Sequence, residues 1–112
     1  MLSKKEKGIL LFLITHCERI EEKTANLSKE DFINNKDIQD IVCFNLLQIG
    51  ELSTKFSKMF IKENPNIQWP KIKGLRNRIV HGYGSVSFEV LWYTATEDIK
   101  PLREYCESIL KQ

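Results

Sequence analysis

The sequence predicts an all-α fold, an antiparallel bundle of four to five helices, and three observations support this prediction. Apolar residues recur at three- and four-residue spacing along most of the 112 residues. Only three prolines and five glycines interrupt that spacing, and no alternating apolar–polar run bounded by turn residues indicates a strand. The connections between helices are short, which favours antiparallel packing. A chain of this length is expected to form one domain over residues 1–112.

The composition is that of an ordinary globular protein, with 42% apolar and 29% charged residues. The net charge of +2 is too small to indicate nucleic-acid binding across the whole surface. Cys17, Cys43 and Cys106 are widely spaced within apolar helical patterns, which predicts buried free thiols in a reducing compartment. No apolar run is long enough to span a bilayer, and no signal-peptide cleavage pattern is present. We therefore expect a cytoplasmic protein with no membrane association.

The first helix is predicted over about residues 4–23. Its apolar face comprises Ile9, Phe12, Leu13, His16 and Ile20, and Leu10 and Ile14 widen it. Ser28 then begins a pattern that resembles a capping box and predicts a short helical turn through Ile33.

The second helix is predicted over about residues 36–63, with Asn35 as its N-cap. Its apolar stripe comprises Ile38, Ile41, Val42, Asn45, Ile49, Leu52, Phe56, Met59 and Phe60. Asn45 is polar within that stripe, and it is either a buried tie between helices or a substrate contact. Phe44 and Leu47 lie outside the stripe, so this helix is either the centre of the bundle or part of a subunit interface.

The third helix is predicted over residues 70–84, opened by Pro70 and closed by glycines. Ser87 is predicted to cap a fourth helix. The inner face of the fourth helix is predicted to comprise Phe88, Leu91 and Trp92. Pro101 either kinks this helix or begins a fifth segment.

The third helix carries the densest polar chemistry of the chain. At 100° per residue, Ile72, Leu75 and Ile79 share a docking face, whereas Asn77 and His81 lie together on nearly the opposite face. The most concentrated basic group of the sequence also lies here and comprises Lys71, Lys73, Arg76 and Arg78.

Arg76 and His81 suit the cleavage of RNA without a metal. Attack by a ribose 2′-hydroxyl needs a base, the leaving oxygen needs an acid, and histidine with a pKa of ~6.5 serves in either role. A guanidinium stabilises the charge that gathers on the transition state. No group of residues with metal-ligand spacing lies near this helix. The two side chains point ~140° apart on a regular helix, so one copy forms a poor pocket unless Arg76 reaches around the helix or the helix end unwinds at Gly82. The chemistry therefore favours a dimer in which two copies share one cleft.

Structural interpretations of the same residues remain open. Arg76 could pair with a half-buried Glu51. His81 could cap the C-terminus of its helix, where the dipole favours an imidazolium. Tyr83 could be a core aromatic with its hydroxyl at the rim.

The run WPKIKGLRNRIVHGY at residues 69–83 resembles the signature of HepT-type toxins, which belong to the HEPN-domain class. Further similarity lies in QIGE at residues 48–51, in Val86, in VLW at residues 90–92 and in IKPL at residues 99–102. The resemblance covers about residues 31–110.

This resemblance implies a HEPN-like helical bundle that dimerises, with a metal-independent endoribonuclease site where two Arg-x4-His motifs meet. Arg76 and His81 would be the catalytic residues, and Asn77 and Arg78 would position the RNA. No metal or other cofactor is implied. The implied partner is an antitoxin, a minimal nucleotidyltransferase that transfers AMP to Tyr83 and so blocks RNA with phosphate charge. Glycines on both sides of Tyr83 would leave its hydroxyl accessible.

The leading hypothesis is therefore a toxin ribonuclease that acts as a homodimer. A rival from another class is a non-catalytic helical adaptor that binds a nucleotidyltransferase or its nucleotide substrate. A third interpretation is a bundle whose basic helix binds nucleic acid without cleaving it.

Overall fold

Seven α-helices make up most of residues 2–112, the part of the chain that the computed structural model describes. They are α1 (Lys4–Thr24), α2 (Lys29–Ile33), α3 (Lys36–Ser53), α4 (Lys58–Glu63), α5 (Trp69–His81), α6 (Phe88–Tyr93) and α7 (Ile99–Leu110). A 3₁₀ turn at Tyr83–Ser85 follows α5, and a π-helical turn at Thr94–Asp98 joins α6 to α7. No strand occurs among these residues, so the all-α prediction is confirmed. Met1, the first residue of the predicted domain, lies outside the described residues.

The first helix has the predicted length, but Phe12 lies outside its buried face. Ser3 caps it, since its hydroxyl accepts the amide of Glu6 while the Glu6 carboxylate accepts the amide of Ser3. The helix packs against both α3 and α7 and buries Ile9, Leu10, Leu13, Cys17, Ile20 and Thr24. Phe12, which was predicted to lie in the core, is 61% exposed. The prediction for Phe12 is wrong because α3 and α7 cover the side of α1 that carries Leu10 and Cys17.

The predicted second helix is two helices in the structure, so its predicted extent is wrong. α3 ends at Ser53, and the hydroxyl of Thr54 turns back to donate to the carbonyl of Glu51. Ser57 then caps α4 by accepting the amide of Phe60. The break turns Phe56 inward, where its ring stacks on that of Phe60 with centroids 4.0 Å apart.

The exposed side of α4 corrects a second prediction. Met59 was assigned to the apolar stripe, but it is 69% exposed. Because the chain bends before Ser57, the helical period of α3 does not continue into α4. Phe60 is therefore buried in place of Met59.

Asn35 caps α3 as predicted, accepting the amide of Ile38.

The last three segments form one continuous helical run capped by Ser87, whose hydroxyl accepts the amide of Val90. Pro101 lies in the first turn of α7, and it has no amide to donate to the carbonyl four residues before it. The π-helical turn directly before α7 accommodates this missing bond. Leu91 is buried as predicted, but Phe88 is exposed, so its assignment to the inner face is wrong.

The three cysteines are buried and free, as predicted. Burial raises the pKa of the Cys106 thiol to about 12.

Arg103 connects α7 to α1. Its Nε and Nη2 donate to the two carboxylate oxygens of Glu21 at 2.5 and 3.1 Å. Within residues 2–112, no helix combines the length and the apolar character needed to cross a membrane.

Candidate active site

The helix α5 carries the predicted site, and an aromatic cluster fixes where it begins. The Trp69 ring packs edge-on against Phe56 and Phe60, and its indole N–H donates to the carbonyl of Asn64 at 3.0 Å. Pro70 follows within the first turn, as predicted. The predicted docking face is confirmed, since Ile79 is buried and Ile72 and Leu75 are half-buried against the core. The helix ends at His81, so residues 82–84 are not part of it.

Arg76 lies at the contact between α5 and α3. Its Nε donates to Glu51 Oε1 at 2.5 Å, and its Nη1 donates to Asn77 Oδ1 at 2.9 Å. The structural alternative for Arg76, an ion pair with Glu51, is therefore present. The side chain is still 31% exposed, so the guanidinium keeps N–H groups that solvent or a ligand can reach.

Gly50 explains how Arg76 comes so close to α3. A Cβ at this position would lie 2.4 Å from the Cβ of Arg76 and 2.6 Å from its Cγ. Only a residue without a side chain leaves room for α5 at this crossing. Gly50 therefore leaves room for Arg76, and the next residue, Glu51, accepts its Nε–H and orients the guanidinium.

His81 is exposed at the C-terminal end of α5, and Arg78 is exposed one turn earlier. The amide of Gly82 donates to the carbonyl of Arg78, which completes the last helical turn. Hydrogen bonds connect Arg76 with Asn77 and Glu51, but among the described residues none connects Arg76 with His81. One copy of the chain thus presents the two predicted catalytic groups separately on the same helix.

Tyr83 lies just after α5, and its hydroxyl donates to Asp40 Oδ1 on α3 at 2.5 Å. Lys36 Nζ lies 3.3 Å from the same oxygen and 4.4 Å from the centre of the Tyr83 ring. Burial first, and then this hydrogen bond, raise the pKa of Tyr83 well above its usual value. The hydrogen bond from Tyr83 is also the main cause that lowers the pKa of Asp40.

The glycines beside Tyr83 do not act through an unusual backbone conformation. Gly82 has a φ of 173°, which is extended backbone, and among residues 2–112 no glycine has a positive φ in the left-handed region. Tyr83 is half-buried as a residue, and its hydroxyl is held by Asp40. Sequence reasoning missed Asp40, because 43 residues separate it from Tyr83.

Asn45 forms a tie between helices. Its side chain is only 4% exposed, its Oδ1 lies 2.8 Å from His16 Nδ1 on α1, and its Nδ2 donates to the carbonyl of Ile41. Of the two interpretations that the sequence left open, the contacts favour the structural one.

A cavity in the described part of the chain lies away from the motif. A cavity of about 320 Å³ lies between α3, α5 and α7, with Ile49, Ile72 and Leu102 among its lining residues. Neither Arg76 nor His81 lines it. Among the described residues, no three His, Cys, Asp or Glu side chains are grouped so that they could hold a metal ion.

An exposed apolar side chain marks the outer face of α3. Phe44 is 58% exposed, Asp40 lies one turn before it, and Glu51 lies two turns after it. α3 is therefore not buried on all sides, and Phe44 lies on its exposed face. Val80 is a further exposed apolar residue on α5, directly before His81.

Comparison with known proteins gives one consistent family. A protein-family model described as "Ribonuclease HepT-like" matches residues 13–109. "Probable ribonuclease HepT" of Thermococcus cleftensis is 33% identical over 110 residues, which cover 98% of this chain and 100% of that protein. "Putative RNase MJ1380" of Methanocaldococcus jannaschii is 30% identical over 109 residues, covering 96% and 100%. No solved structure shows significant similarity.

Proposed function

Since the chain belongs to the HepT-like ribonuclease family, we propose that it is a metal-independent endoribonuclease and the toxin of a toxin–antitoxin pair. Family membership supports an RNase activity on an RNA substrate. The observation that carries the site assignment is the arrangement on α5, where an exposed His81 and a partly exposed Arg76 are presented by one helix. Asn77 and Arg78 would bind the RNA beside them.

The proposed reaction is a transfer of the phosphodiester within the RNA. The ribose 2′-oxygen attacks the adjacent phosphorus, the bond to the 5′-oxygen breaks, and a 2′,3′-cyclic phosphate and a 5′-hydroxyl result. An imidazole removes the 2′ proton and another protonates the leaving oxygen. Arg76 stabilises the additional negative charge on the phosphoryl oxygens.

A homodimer supplies the second histidine, which this reaction needs and one chain lacks. One copy offers a single histidine of the motif, whereas the reaction uses a base and an acid. Two copies related by a twofold axis would place two copies of His81 and two of Arg76 over one phosphate. The exposed Phe44 and Val80, on the two helices that hold the site, supply apolar surface for this contact.

Regulation in this proposal acts at Tyr83. A minimal nucleotidyltransferase, the antitoxin, would transfer AMP to the tyrosine hydroxyl, which lies two residues from His81. The added phosphate would place negative charge beside the cleft and repel RNA. Toxin and antitoxin would act together in the cytoplasm, with residues 1–112 as a single domain.

The test is cleavage of a fluorescently labelled RNA in the presence of EDTA. Wild-type protein should cut, and a substrate with a 2′-deoxyribose at the cut site should stay intact because it lacks the nucleophile. His81→Ala and Arg76→Ala should each abolish cleavage while circular dichroism shows an unchanged helical fold. Full activity in both variants, or cleavage that requires a divalent metal and leaves a 5′-phosphate, would contradict the proposed mechanism.

The same assay separates the rival functions. An adaptor would be inert toward RNA and would bind the nucleotidyltransferase tightly. A nucleic-acid-binding bundle would retain RNA uncut, with an affinity that falls as salt is raised.

A further inference from the structure

The contacts around Tyr83 suggest how the chain contributes to its own modification. We infer that Asp40 accepts the Tyr83 proton during nucleotide transfer, and that Lys36 binds the α-phosphate of the incoming nucleoside triphosphate. The inference rests on the proposed function, because it takes Tyr83 as the site of modification. It assigns roles to two residues of α3 that lie far from the α5 motif in the sequence.

The geometry supports a proton acceptor at Asp40. The Tyr83 hydroxyl donates to Asp40 Oδ1 at 2.5 Å, so the proton to be lost already points at a carboxylate. Asp40 is exposed at the surface of α3, where a proton that it accepts can pass to water. The 3₁₀ turn that contains Tyr83 and the regular helix α3 hold the two groups together from separate elements.

Tyr83 needs such an acceptor in order to act as a nucleophile. Its surroundings raise its pKa, so the phenolate is scarce near neutral pH. The hydrogen bond from Tyr83 holds the pKa of Asp40 below its usual value, so this side chain is an ionised carboxylate near neutral pH. Proton transfer during the attack avoids the formation of a free phenolate.

The step is balanced with a nucleoside triphosphate as co-reactant, presented by the partner. Tyr83 Oη forms a bond to the α-phosphorus as the bond from this phosphorus to the oxygen bridging to the β-phosphate breaks. Pyrophosphate leaves with that electron pair, and the phenolic proton moves to Asp40 Oδ1 and then to water. The product is a phosphodiester between the tyrosine and AMP.

Lys36 is placed to bind phosphate next to this oxygen. Its Nζ lies 3.3 Å from Asp40 Oδ1, the atom that also accepts the Tyr83 hydroxyl. An ammonium there offsets the charge on the α-phosphate, which would otherwise be repelled by Asp40. Once the oxygen is esterified it cannot donate to Asp40, so Lys36 is also the group that would hold the product phosphate beside α3.

The experiment measures transfer from α-labelled ATP with Mg²⁺ by a minimal nucleotidyltransferase, the proposed antitoxin. Asp40→Asn keeps an oxygen that can accept the hydrogen bond but removes the base, and we expect transfer to slow about 100-fold. Asp40→Glu keeps a carboxylate and should recover part of the rate. Lys36→Met should slow transfer and raise the ATP concentration needed for half-maximal rate.

Control variants and measurements distinguish a role of Asp40 as a base from a purely structural role. Asp37→Asn removes the same charge from a neighbouring exposed position on α3. The nucleotidyltransferase should modify this variant at the wild-type rate. Tyr83→Phe should take up no label, which confirms the acceptor. Thermal unfolding and calorimetric affinity for the nucleotidyltransferase should be the same for Asp40→Asn and wild type, since a merely structural role would change these quantities.

The experiment distinguishes a failure of the role inferred for Asp40 from a failure of the proposed modification of Tyr83. If wild type and Asp37→Asn are modified and Asp40→Asn is modified equally fast, the role of Asp40 is overturned while modification of Tyr83 stands. If wild type cleaves RNA but takes up no label, modification is overturned and the role of Asp40 with it. If Asp40→Asn alone is slow and Asp40→Glu recovers, the inference is supported.

Discussion

Gly50 and Arg76 are in such close contact that the glycine sets the distance between α3 and α5. A Cβ built on Gly50 would meet the Cβ of Arg76 at 2.4 Å and its Cγ at 2.6 Å. The next residue on α3, Glu51, accepts the Arg76 Nε–H. The position of the guanidinium is therefore determined by two adjacent residues of α3, one by its lack of a side chain and one by its charge.

We expect Gly50→Ala to destabilise the protein although alanine is the better helix former. Overpacking of this kind costs about 1–3 kcal/mol, and the gain in helix propensity returns at most about 1 kcal/mol. The net loss, up to about 2 kcal/mol, can be measured by urea unfolding followed by circular dichroism at a fixed protein concentration. Because α5 must shift, RNA cleavage should also fall, by up to about 100-fold.

Gly74→Ala is the matched control, since it lies on α5 where an added Cβ would meet nothing within 4 Å. This variant should gain up to about 1 kcal/mol from helix propensity. Equal stability changes in the two variants would show that the contact at Gly50 does not constrain the helices.

Glu51 is expected to orient Arg76 more than it stabilises the fold. Both side chains are partly exposed, so Glu51→Ala should change the free energy of unfolding by no more than about 1 kcal/mol. Cleavage should slow about 10-fold or more, because Arg76 loses the acceptor that holds its Nε. Glu51→Gln keeps an acceptor and should be intermediate.

Rates of cleavage and melting temperatures of these variants can be measured side by side. Glu89→Gln, which removes a surface carboxylate 4.0 Å from Lys29, is the control and should match wild type in both quantities. If Glu51→Ala cleaves as fast as wild type, the ion pair does not position Arg76.

The local part of this site could be predicted from the sequence, and the contacts across helices could not. The spacing of Ile72, Leu75 and Ile79 predicted the docking face of α5, and a regular helix made that prediction accurate. Ser28 and Asn35 were found from capping patterns, which extend over three residues.

The sequence predictions were wrong at positions where several local conformations are compatible with the sequence and contacts between helices select one of them. Phe12 and Leu10 are both compatible with an apolar stripe on α1, and only the packing of α3 and α7 selects Leu10 for burial. The break after Ser53 competes with continued helix, and the burial of Phe56 favours the break. Asp40 gave no signal, because the spacing of Lys36 and Asp40 is that of any surface ion pair.

Asn45 should contribute to stability and not to RNA binding. Asn45→Ala removes the partner of His16 Nδ1 between α1 and α3, and an unsatisfied polar group of this kind costs about 1–3 kcal/mol. Urea unfolding measures the loss, and the affinity for uncleaved 2′-deoxy-substituted RNA should stay at the wild-type value.

A double-mutant cycle checks the same contact. His16→Ala combined with Asn45→Ala should cost less than the sum of the two single losses, by about 0.5 kcal/mol or more. Additive losses would show that the two side chains do not interact. Weaker RNA binding with unchanged stability in Asn45→Ala would favour the substrate contact instead.

Phe44 is the residue through which the proposed dimer is most directly tested. It is 58% exposed on the face of α3 that also carries Glu51, and burying it against a second copy would remove its ring from water. An aspartate at this position would place a charge in that contact, so Phe44→Asp should be a folded monomer by light scattering. It should also lose RNA cleavage, because each cleft would lack the second copy of His81 and Arg76.

Met59→Asp controls for the loss of an exposed apolar side chain elsewhere. Met59 lies on α4 and is 69% exposed, and its replacement should leave both the dimer and the cleavage rate unchanged. A monomeric Phe44→Asp protein that cleaves RNA at the wild-type rate would show that one chain forms the whole site. A dimeric Phe44→Asp protein would place the subunit interface on a different face, since a buried unpaired carboxylate at the contact is too costly to persist.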